Sequence, residues 1–331
     1  MVHGGYTGAL RKIIFINQAM AIPGIKNLFI VVLLLPLFFL CSCTNYEKRL
    51  KSMPDYADSG MIHISCDESF KPIVEELVKV YESDHRKAKI IVTYKPESEC
   101  LDDLLVDSVR MIIATRRANE YEKAYIADSF KIDAVSKVTA YDAISVIVHP
   151  DNQDSLLTMD NIREILTGKF GKNLIPVFDG IKATSTVRFI IDSILIGDSL
   201  TKTAVAGRSS QGVIDYVAQT KDAIGFIGVS WIGNPENSEH LKALKKVKAV
   251  QLERTDAKGK CIYPTQANIY LRRYPMIREV VYTLKERHPG LGNSFANFMD
   301  QQIGQLIFHR AYLVPAWIDY FKIRNVKITE E

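Results

Sequence analysis

Short β-strand patterns alternate with helical patterns from residue 60 onward, and this alternation constrains the fold more than any other feature. The segment "MIHIS" is typical of a strand, "SFKPIVEELVKVYES" repeats apolar residues at helical spacing, and "AKIIVTY" is a second strand. A further helical pattern, "CLDDLLVDSV", precedes a third strand, "RMIIAT". Because strand–helix–strand units connect parallel strands, the sequence predicts an α/β fold with mixed, mostly parallel sheets flanked by helices.

The alternation continues to the C-terminus. The long strand pattern "DAISVIVHP" precedes the helix "TMDNIREILTG", which has Thr158 or Asp160 as its N-cap and Gly168 just past its end. The helices "TSTVRFIIDSILIG" and "GVIDYVAQT" and the strand "AIGFIGV" follow. We expect "TQANIYLRRY" to be a strand, and "REVVYTLKERH" and "SFANFMDQQIGQLIFHR" to be the last two helices.

The order of these segments predicts two lobes. We expect the chain to cross between lobes near residues 141–145 and again near residues 258–263. The first lobe then contains residues 61–142 and 262–331, and the second contains residues 143–261. One lobe inserted into the other in this way gives a hinged clamshell.

The N-terminus has the features of an export signal. The apolar run Leu28–Cys41 is 14 residues long, short of the about 20 that span a bilayer, and Lys26 precedes it. The run ends in Leu-Cys-Ser-Cys, which resembles a bacterial lipobox. We therefore expect residues 1–42 to be a lipoprotein signal peptide, Cys43 to carry a lipid such as palmitate, and residues 43–60 to form a polar tether. The alternative is a membrane-buried anchor helix.

Charge gives no support for a nucleic-acid partner. The formal net charge is +4, and residues 1–42 carry three basic residues and no acidic one, so that +1 remains for the rest of the chain. The lysine-rich stretch "LKALKKVKAV" lacks interleaved aromatic residues and is interpreted as a solvated face. The expected location is the cell envelope, outside the cytoplasm and attached to a membrane through the lipid on Cys43.

Three cysteines follow the lipobox: Cys66, Cys100 and Cys261. Cys66 and Cys100 each come after a predicted strand of the same lobe, so they can pair, or they can remain separate buried thiols. The spacing of these cysteines does not resemble a zinc site, and we predict no metal or cofactor.

Three loops stand where ligands bind in open α/β sheets, at the carboxyl ends of strands and the N-termini of helices. Each also has a purely structural interpretation, as a helix cap or a surface salt bridge. The first loop is "SCDESFKPI", the second is "IIATRRAN" and the third is "KATSTVRF". Their candidate ligand-binding residues are Ser69, Phe70, Thr115, Arg116, Thr184, Ser185, Thr186 and Arg188.

Four longer segments resemble the phosphate-binding proteins of ABC transporters. They are "AYDAISVIVHPDNQDSLLTMDNIREILTGK", "GVIDYVAQTKDAIGFIGVSWI", "YPTQANIYL" and "FANFMDQQIGQLIFHRAYLVP", and the resemblance covers roughly residues 62 to 316. It implies a type 2 periplasmic binding protein fold, whose two α/β lobes close on an oxyanion. It also implies a membrane permease as partner and an ATPase on a separate chain.

The resemblance implies roles for the three loops. Ser69 and Phe70 match the hydroxyl–aromatic pair that opens the family's first helix, and Thr115, with Arg116 beside it, matches the hydroxyl at the third strand. Thr184–Thr186 match the family's Ser-Gly-Thr loop.

The sequence also departs from the family. The family has an arginine four residues before the hydroxyl loop, and that position here is Gly180. Arg188 or Arg116 is the candidate replacement. Glu68 stands beside Asp67 at the first loop, where a carboxylate can accept a hydrogen bond from a protonated phosphate or face an amine.

The sequence therefore predicts a monomeric, lipid-anchored protein that captures phosphate or a similar oxyanion for ABC-type import and has no catalytic residues. One alternative is a binding protein for another small anionic or zwitterionic solute. Another is a tethered assembly or interaction lipoprotein that has lost ligand binding. A hydrolase using Ser185 or Ser209 is disfavoured, because the histidines form no recognisable set with either serine.

Overall fold

The computed structural model describes residues 55–180, 184–233 and 238–317. The strands are β1 (Ser59–Asp67), β2 (Lys87–Lys95), β3 (Val109–Ala114), β4 (Val135–Val148), β5 (Leu156–Leu157), β6 (Ile175–Phe178), β7 (Val205–Ala206), β8 (Ala223–Gly228), β9 (Lys248–Ala249), β10 (Gln251–Glu253), β11 (Cys261–Ile262), β12 (Ile277–Leu284) and β13 (Val314–Pro315). The helices are α1 (Lys71–Asp84), α2 (Glu97–Leu104), α3 (Glu120–Phe130), α4 (Met159–Thr167), α5 (Ser185–Ile190), α6 (Ser210–Gln219), α7 (Ser238–Lys246), α8 (Gln266–Tyr270), α9 (Leu291–Asp300) and α10 (Gln302–Arg310). Short 3-10 helices cover Glu68–Phe70 and Val229–Trp231, and a π-helical turn, Ile191–Leu195, continues α5.

The main sheet is mixed, with the strand order β2-β1-β3-β12-β4-β8-β6-β7. At one end β1 runs parallel to both β2 and β3, and at the other end β6 runs parallel to β7 and β8. Between these ends, β12 is antiparallel to β3 and β4, and β4 is antiparallel to β8. The α/β class predicted from the alternation of strands and helices is confirmed.

Strand β4 joins the two ends of the sheet. It is 14 residues long and pairs with β12 as far as Ala143, opposite Ile277. From Ile144, opposite Gly228, it pairs with β8. The change of partner falls inside the crossing expected near residues 141–145.

Amphipathic helices cover the sheet. In α1 the residues Ile73, Leu77 and Tyr81 are buried, as their helical spacing predicts. The Tyr81 ring packs edge-on against Phe295 of α9, with 5.3 Å between ring centroids. These contacts hold α1 and α9 together under the β1 side of the sheet.

Helix α4 begins and ends where its sequence predicts. Thr158 accepts a hydrogen bond from the Asn161 amide, and Asn161 in turn bonds the Thr158 amide, which completes a capping box. Gly168 ends the helix with φ +73°, a left-handed conformation that favours glycine.

Two predictions of secondary structure were wrong. The segment "REVVYTLKERH" was expected to be helical, but its first half lies in β12. The residues Val280–Leu284 of this central strand are buried in succession, so both faces of β12 are covered, and a consecutive, mostly apolar run fits a helix equally well. The segment "TQANIYLRRY" was expected to be a strand, but it contains α8, which Thr265 caps.

The last helical segment differs from its prediction in one respect. It is divided into α9 and α10, because Gln301 adopts an extended conformation with ψ 171°. The helical backbone conformation that would join α9 and α10 into one helix is interrupted at this residue.

Cys66 and Cys100 are buried free thiols, and Cys261 is a free thiol of intermediate exposure. Within the described ranges, the structure contains no helix with the length and apolar character needed to cross a bilayer. The predicted signal peptide, the lipidation site Cys43 and most of the predicted tether lie outside the described residues.

Candidate functional site

The first and third predicted loops meet in the interior of the protein. Ser69, in the 3-10 helix after β1, places its Oγ 3.4 Å from the Oγ of Ser185 at the start of α5. The Ser69 hydroxyl also lies 3.5 Å from Oδ2 of Asp179, the residue that follows β6. The carbonyl of Ser69 accepts hydrogen bonds from Trp231 Nε1, at 2.9 Å, and from the Ser230 hydroxyl, at 3.4 Å. Residues more than 100 positions apart in the sequence therefore share one buried cluster.

Local capping explains part of the hydroxyl crowding in the third loop. Thr184 is the N-cap of α5 and accepts a hydrogen bond from the Val187 amide at 3.3 Å. Ser185 and Thr186 occupy the first turn, are buried, and keep their hydroxyls for other contacts. In the first loop, the carboxylate of Asp67 accepts from the Ser69 amide at 3.0 Å and so orients Ser69. One of the three hydroxyls is needed for the cap and two are available to the cluster.

Arg278, on β12, lies at the centre of this cluster, and the sequence analysis missed it. Its Nη1 donates to Ser185 Oγ at 2.8 Å and to Thr186 Oγ1 at 3.3 Å. Its Nε donates to Asp142 Oδ2 at 2.8 Å, and its guanidinium lies 5.2 Å from the centre of the Phe70 ring. The side chain is 2% exposed, and Nη2 is buried without a hydrogen-bond partner. A buried donor of this kind is available to an oxyanion.

Three buried carboxylates surround this one guanidinium: Asp67, Asp142 and Asp179. Burial raises the pKa of Asp67 to about 6, in spite of the attraction of Arg278. Burial also raises the pKa values of Asp142 and Asp179 above their ordinary value. One oxygen of Asp67 and one of Asp142 have no hydrogen-bond partner. The cluster therefore offers acceptors as well as donors, and it favours a ligand that carries protons or positive charge in addition to oxyanion character.

Thr115 and Arg188 contact each other and Glu97 of α2. Arg188 Nε donates to Glu97 Oε2 at 2.6 Å, and Arg188 Nη2 donates to the Thr115 hydroxyl at 2.6 Å. The Thr115 amide and hydroxyl donate to Glu97 Oε1 at 2.8 and 2.6 Å. Burial alone would raise the pKa of Glu97, but the bonds from Arg188 and Thr115 lower it below its ordinary value. Arg188 of the third loop and Thr115 of the second loop are thus joined to each other and to Glu97. Both were expected to donate hydrogen bonds to a ligand, and here they donate to Glu97 and to each other.

Arg116 lies outside the cluster, whereas Glu68 contacts the start of a second helix. The Arg116 guanidinium forks onto Glu122, with bonds of 2.9 and 2.6 Å, so the structure does not bring it into the cluster. Glu68 accepts from the Ser210 hydroxyl at 3.0 Å and from the Ser210 amide, at the N-terminus of α6. This contact connects the first loop to a second helix start. Gly180 occupies the position of the family's arginine and donates its amide to Asp179 Oδ1 at 3.1 Å.

In the ranges that the structure describes, no group of three or more His, Cys, Asp or Glu side chains is arranged to hold a metal ion.

The chain is similar to several known proteins. The chain is 20% identical over 297 residues to the phosphate-binding protein PstS of Borreliella burgdorferi. The aligned region covers 85% of this chain and 95% of that protein. The fold matches a Clostridium perfringens protein assigned as a phosphate ABC transporter substrate-binding protein and crystallised with phosphate, with a TM-score of 0.63, 20% identity, and coverage of 78% of this chain and 100% of that one. It also matches an ABC-type phosphate transport receptor from Vibrio cholerae, with a TM-score of 0.57, 18% identity, and coverage of 76% and 99%.

These structural matches agree with the type 2 periplasmic binding protein fold that the sequence predicts, and the matched proteins are named for binding and transport rather than for catalysis. A family model described as a PBP superfamily domain matches residues 52–301. This match spans most of the sequence and includes both Ser69 and Arg278. The chain belongs to the PBP superfamily of binding proteins.

Proposed function

We propose that this protein captures phosphate, or a similar oxyanion, for ABC-type import. The observation that carries the proposal is the meeting of two hydroxyl loops with a buried guanidinium: Ser69, Ser185 and Thr186 lie around Arg278. Arg278 supplies the positive charge that the family places at the position of Gly180. The names of the matched relatives, which refer to phosphate, support the same ligand.

The number of donors is sufficient for tight binding. A hydrogen bond to a charged acceptor contributes about 1.5–3 kcal/mol. Micromolar affinity corresponds to about −8 kcal/mol, so four to six such bonds reach it after the cost of ordering the site is subtracted. The free Nη2 of Arg278 and the three hydroxyls are the donors that we assign to the ligand.

The excess of carboxylates favours a second candidate, a solute with its own donors. Asp67, Asp142 and Asp179 outnumber Arg278, and a fully ionised anion such as sulfate offers no proton to them. A protonated phosphate satisfies them, and so does a small zwitterion that carries an amine. Within the first candidate, the cluster is therefore expected to select protonated phosphate over sulfate.

The remaining features of the proposed function concern the arrangement of the protein in the cell. We propose that a lipid on Cys43 anchors the chain to a membrane and that the ligand-bound form docks as a monomer on a permease. We also propose that residues 61–142 and 262–331 form one lobe and residues 143–261 the other. The change of partner in β4 between Ala143 and Ile144 supports that boundary. Mass spectrometry of the membrane-extracted protein tests the lipid, because acylation adds a defined mass to a chain that begins at Cys43.

Calorimetric titration with phosphate and with sulfate tests the ligand. We expect saturable phosphate binding, weak or absent sulfate binding, and a loss of about 10- to 100-fold in phosphate affinity for Ser185→Ala. Thr203→Ala, an exposed hydroxyl in the same half of the chain, is the control and should bind phosphate normally. Phosphate binding that Ser185→Ala leaves unchanged would refute the site. Failure of both anions, together with a co-purifying zwitterion in native mass spectrometry, would support the second candidate.

A further inference from the structure

A cavity lies apart from the Arg278 cluster. Its volume is about 570 Å³, within the range of small-molecule sites, and none of the residues assigned above to the ligand lines it. Elements from separate parts of the chain form it: the C-terminal half of β4, the 3-10 helix Val229–Trp231, the end of α7 and the loop of residues 263–265. The cavity is therefore a product of the tertiary fold and not a surface groove along one element.

The walls of this cavity are mainly apolar. The larger apolar side chains that line it are Pro150, Val229, Ile232, Leu244, Val247 and Pro264. Tyr263 and Tyr312 add aromatic surface with a polar end. A ligand that fills the cavity must therefore have a hydrocarbon or aromatic body.

Ser145 gives the cavity a polar floor. It is 0% exposed, lines the cavity, and its hydroxyl has no hydrogen-bond partner. Side chains alternate along a strand, so Ser145 shares a face of β4 with Ile147. Ile147 packs in one hydrophobic cluster with Ile232 and Val247, which also line the cavity. A buried hydroxyl without a partner is costly, and a polar atom of a bound molecule would satisfy it.

The charge of the lining favours an anion. Lys245 and Lys248 both line the cavity, and the lining residues that the structure describes include no acidic side chain. Lys248 Nζ donates to the carbonyl of Asn152. Lys245 is exposed at the end of α7, where its ammonium group can pair with a carboxylate.

We propose that this cavity is a second binding site, and that it takes a small hydroxyaryl carboxylate. The aromatic body lies against the apolar walls, the carboxylate pairs with Lys245, and the hydroxyl bonds with Ser145. The proposal does not depend on phosphate binding at Arg278, because the two sites share no assigned residue.

Calorimetric titration with 3-(4-hydroxyphenyl)propanoate tests the site. We expect saturable binding that Leu244→Trp abolishes, since the larger side chain enters the cavity from a position that is already 37% exposed. Leu241→Trp is the matched control, because Leu241 lies on the same helix, is 42% exposed and does not line the cavity. Thermal melting of both variants shows whether each remains folded.

A second comparison tests the role of the hydroxyl. Ser145→Ala should weaken binding of 3-(4-hydroxyphenyl)propanoate by about twofold to tenfold and leave the affinity for 3-phenylpropanoate, which lacks the hydroxyl, unchanged. Lys245→Met should weaken both, and Lys242→Met, on the same helix but outside the lining, should weaken neither. The proposal is overturned if the wild-type protein shows no saturable binding at millimolar probe, or if Leu244→Trp binds as the wild type does.

Discussion

Replacement of Arg278 by methionine should destabilise the protein strongly. The Arg278 side chain is 2% exposed and that of its partner Asp142 is 0% exposed, so the substitution leaves a buried carboxylate without its counter-charge. Breaking a buried ion pair in this way costs about 3–5 kcal/mol, a large part of the 5–15 kcal/mol that stabilises a typical domain. Asp67 and Asp179 lose the same neighbouring charge. We therefore expect Arg278→Met to lower the free energy of unfolding by at least about 3 kcal/mol at pH 7.

The assay is urea unfolding followed by tryptophan fluorescence in phosphate-free buffer. Arg163→Met is the matched control, because Arg163 also forms an ion pair with an aspartate, Asp198, but the two side chains are 45% and 40% exposed. Such a surface pair contributes about 0–1 kcal/mol. If Arg278→Met proves too unstable to purify, Arg278→Lys keeps the charge but loses the separate Nε and Nη1 donors, and its loss of stability should lie between that of the control and the about 3 kcal/mol expected for Arg278→Met.

A double variant separates the ion pair from packing. Asp142→Leu combined with Arg278→Met removes both charges, and it should be more stable than the sum of the two single losses by about 0.5–3 kcal/mol. Equal losses in Arg278→Met and Arg163→Met, or strictly additive losses in the double variant, would refute the reasoning that a desolvated charge dominates the centre of the site.

Three further predictions concern charge and space near the cluster and at the N-terminus of the described residues. Because burial raises the pKa of Asp67 from its ordinary 3.8 to about 6, the wild type should gain stability as the pH falls through 6. In urea unfolding, Asp67→Asn should be more stable than the wild type at pH 8 by up to ~3 kcal/mol, and this difference should vanish near pH 4. Gly228→Ala would place its Cβ 3.0 Å from Arg278 Nη2 and should destabilise the protein by about 1–3 kcal/mol, which thermal melting would show as a lower melting temperature. Gly171→Ala, with open space around it, should leave the melting temperature unchanged. Burial raises the pKa of Asp55, but the hydrogen bonds from Arg110 and the Leu291 amide, together with the charges of Arg110 and His288, outweigh burial and lower it. The stability that Asp55 gives is therefore present above pH 4 and lost below, and urea midpoints of the wild type and Asp55→Asn should differ more at pH 6 than at pH 3.

Features that depend on near neighbours in the sequence were predictable. The capping box at Thr158 and the left-handed Gly168 are fixed within one helix, and both follow from residue types a few positions apart. The position of each loop at the end of a strand was also predictable, because α/β folds bind ligands there. The meeting of Ser69 and Ser185, which were predicted to lie in different lobes, was implied by the resemblance to the phosphate-binding proteins.

Arg278 could not be found in the same way. Its segment carries consecutive apolar residues, and only the pairing of β12 with β3 and β4 shows that it is a buried strand. An arginine in such a run looks like the solvated face of a helix until its neighbours are known. The Arg188–Glu97–Thr115 contact depends equally on distant residues, since an anion-binding arginine and one paired with a buried glutamate have the same local sequence.

The 3-10 helix Val229–Trp231 contributes residues to both proposed sites. Val229 lines the cavity, whereas Ser230 and Trp231 donate hydrogen bonds to the carbonyl of Ser69. A ligand in the cavity that displaces this turn changes the hydrogen bonds to the first loop. Thermodynamic linkage then makes the effect of each ligand on the affinity for the other equal. Binding at one proposed site would then change the affinity of the other.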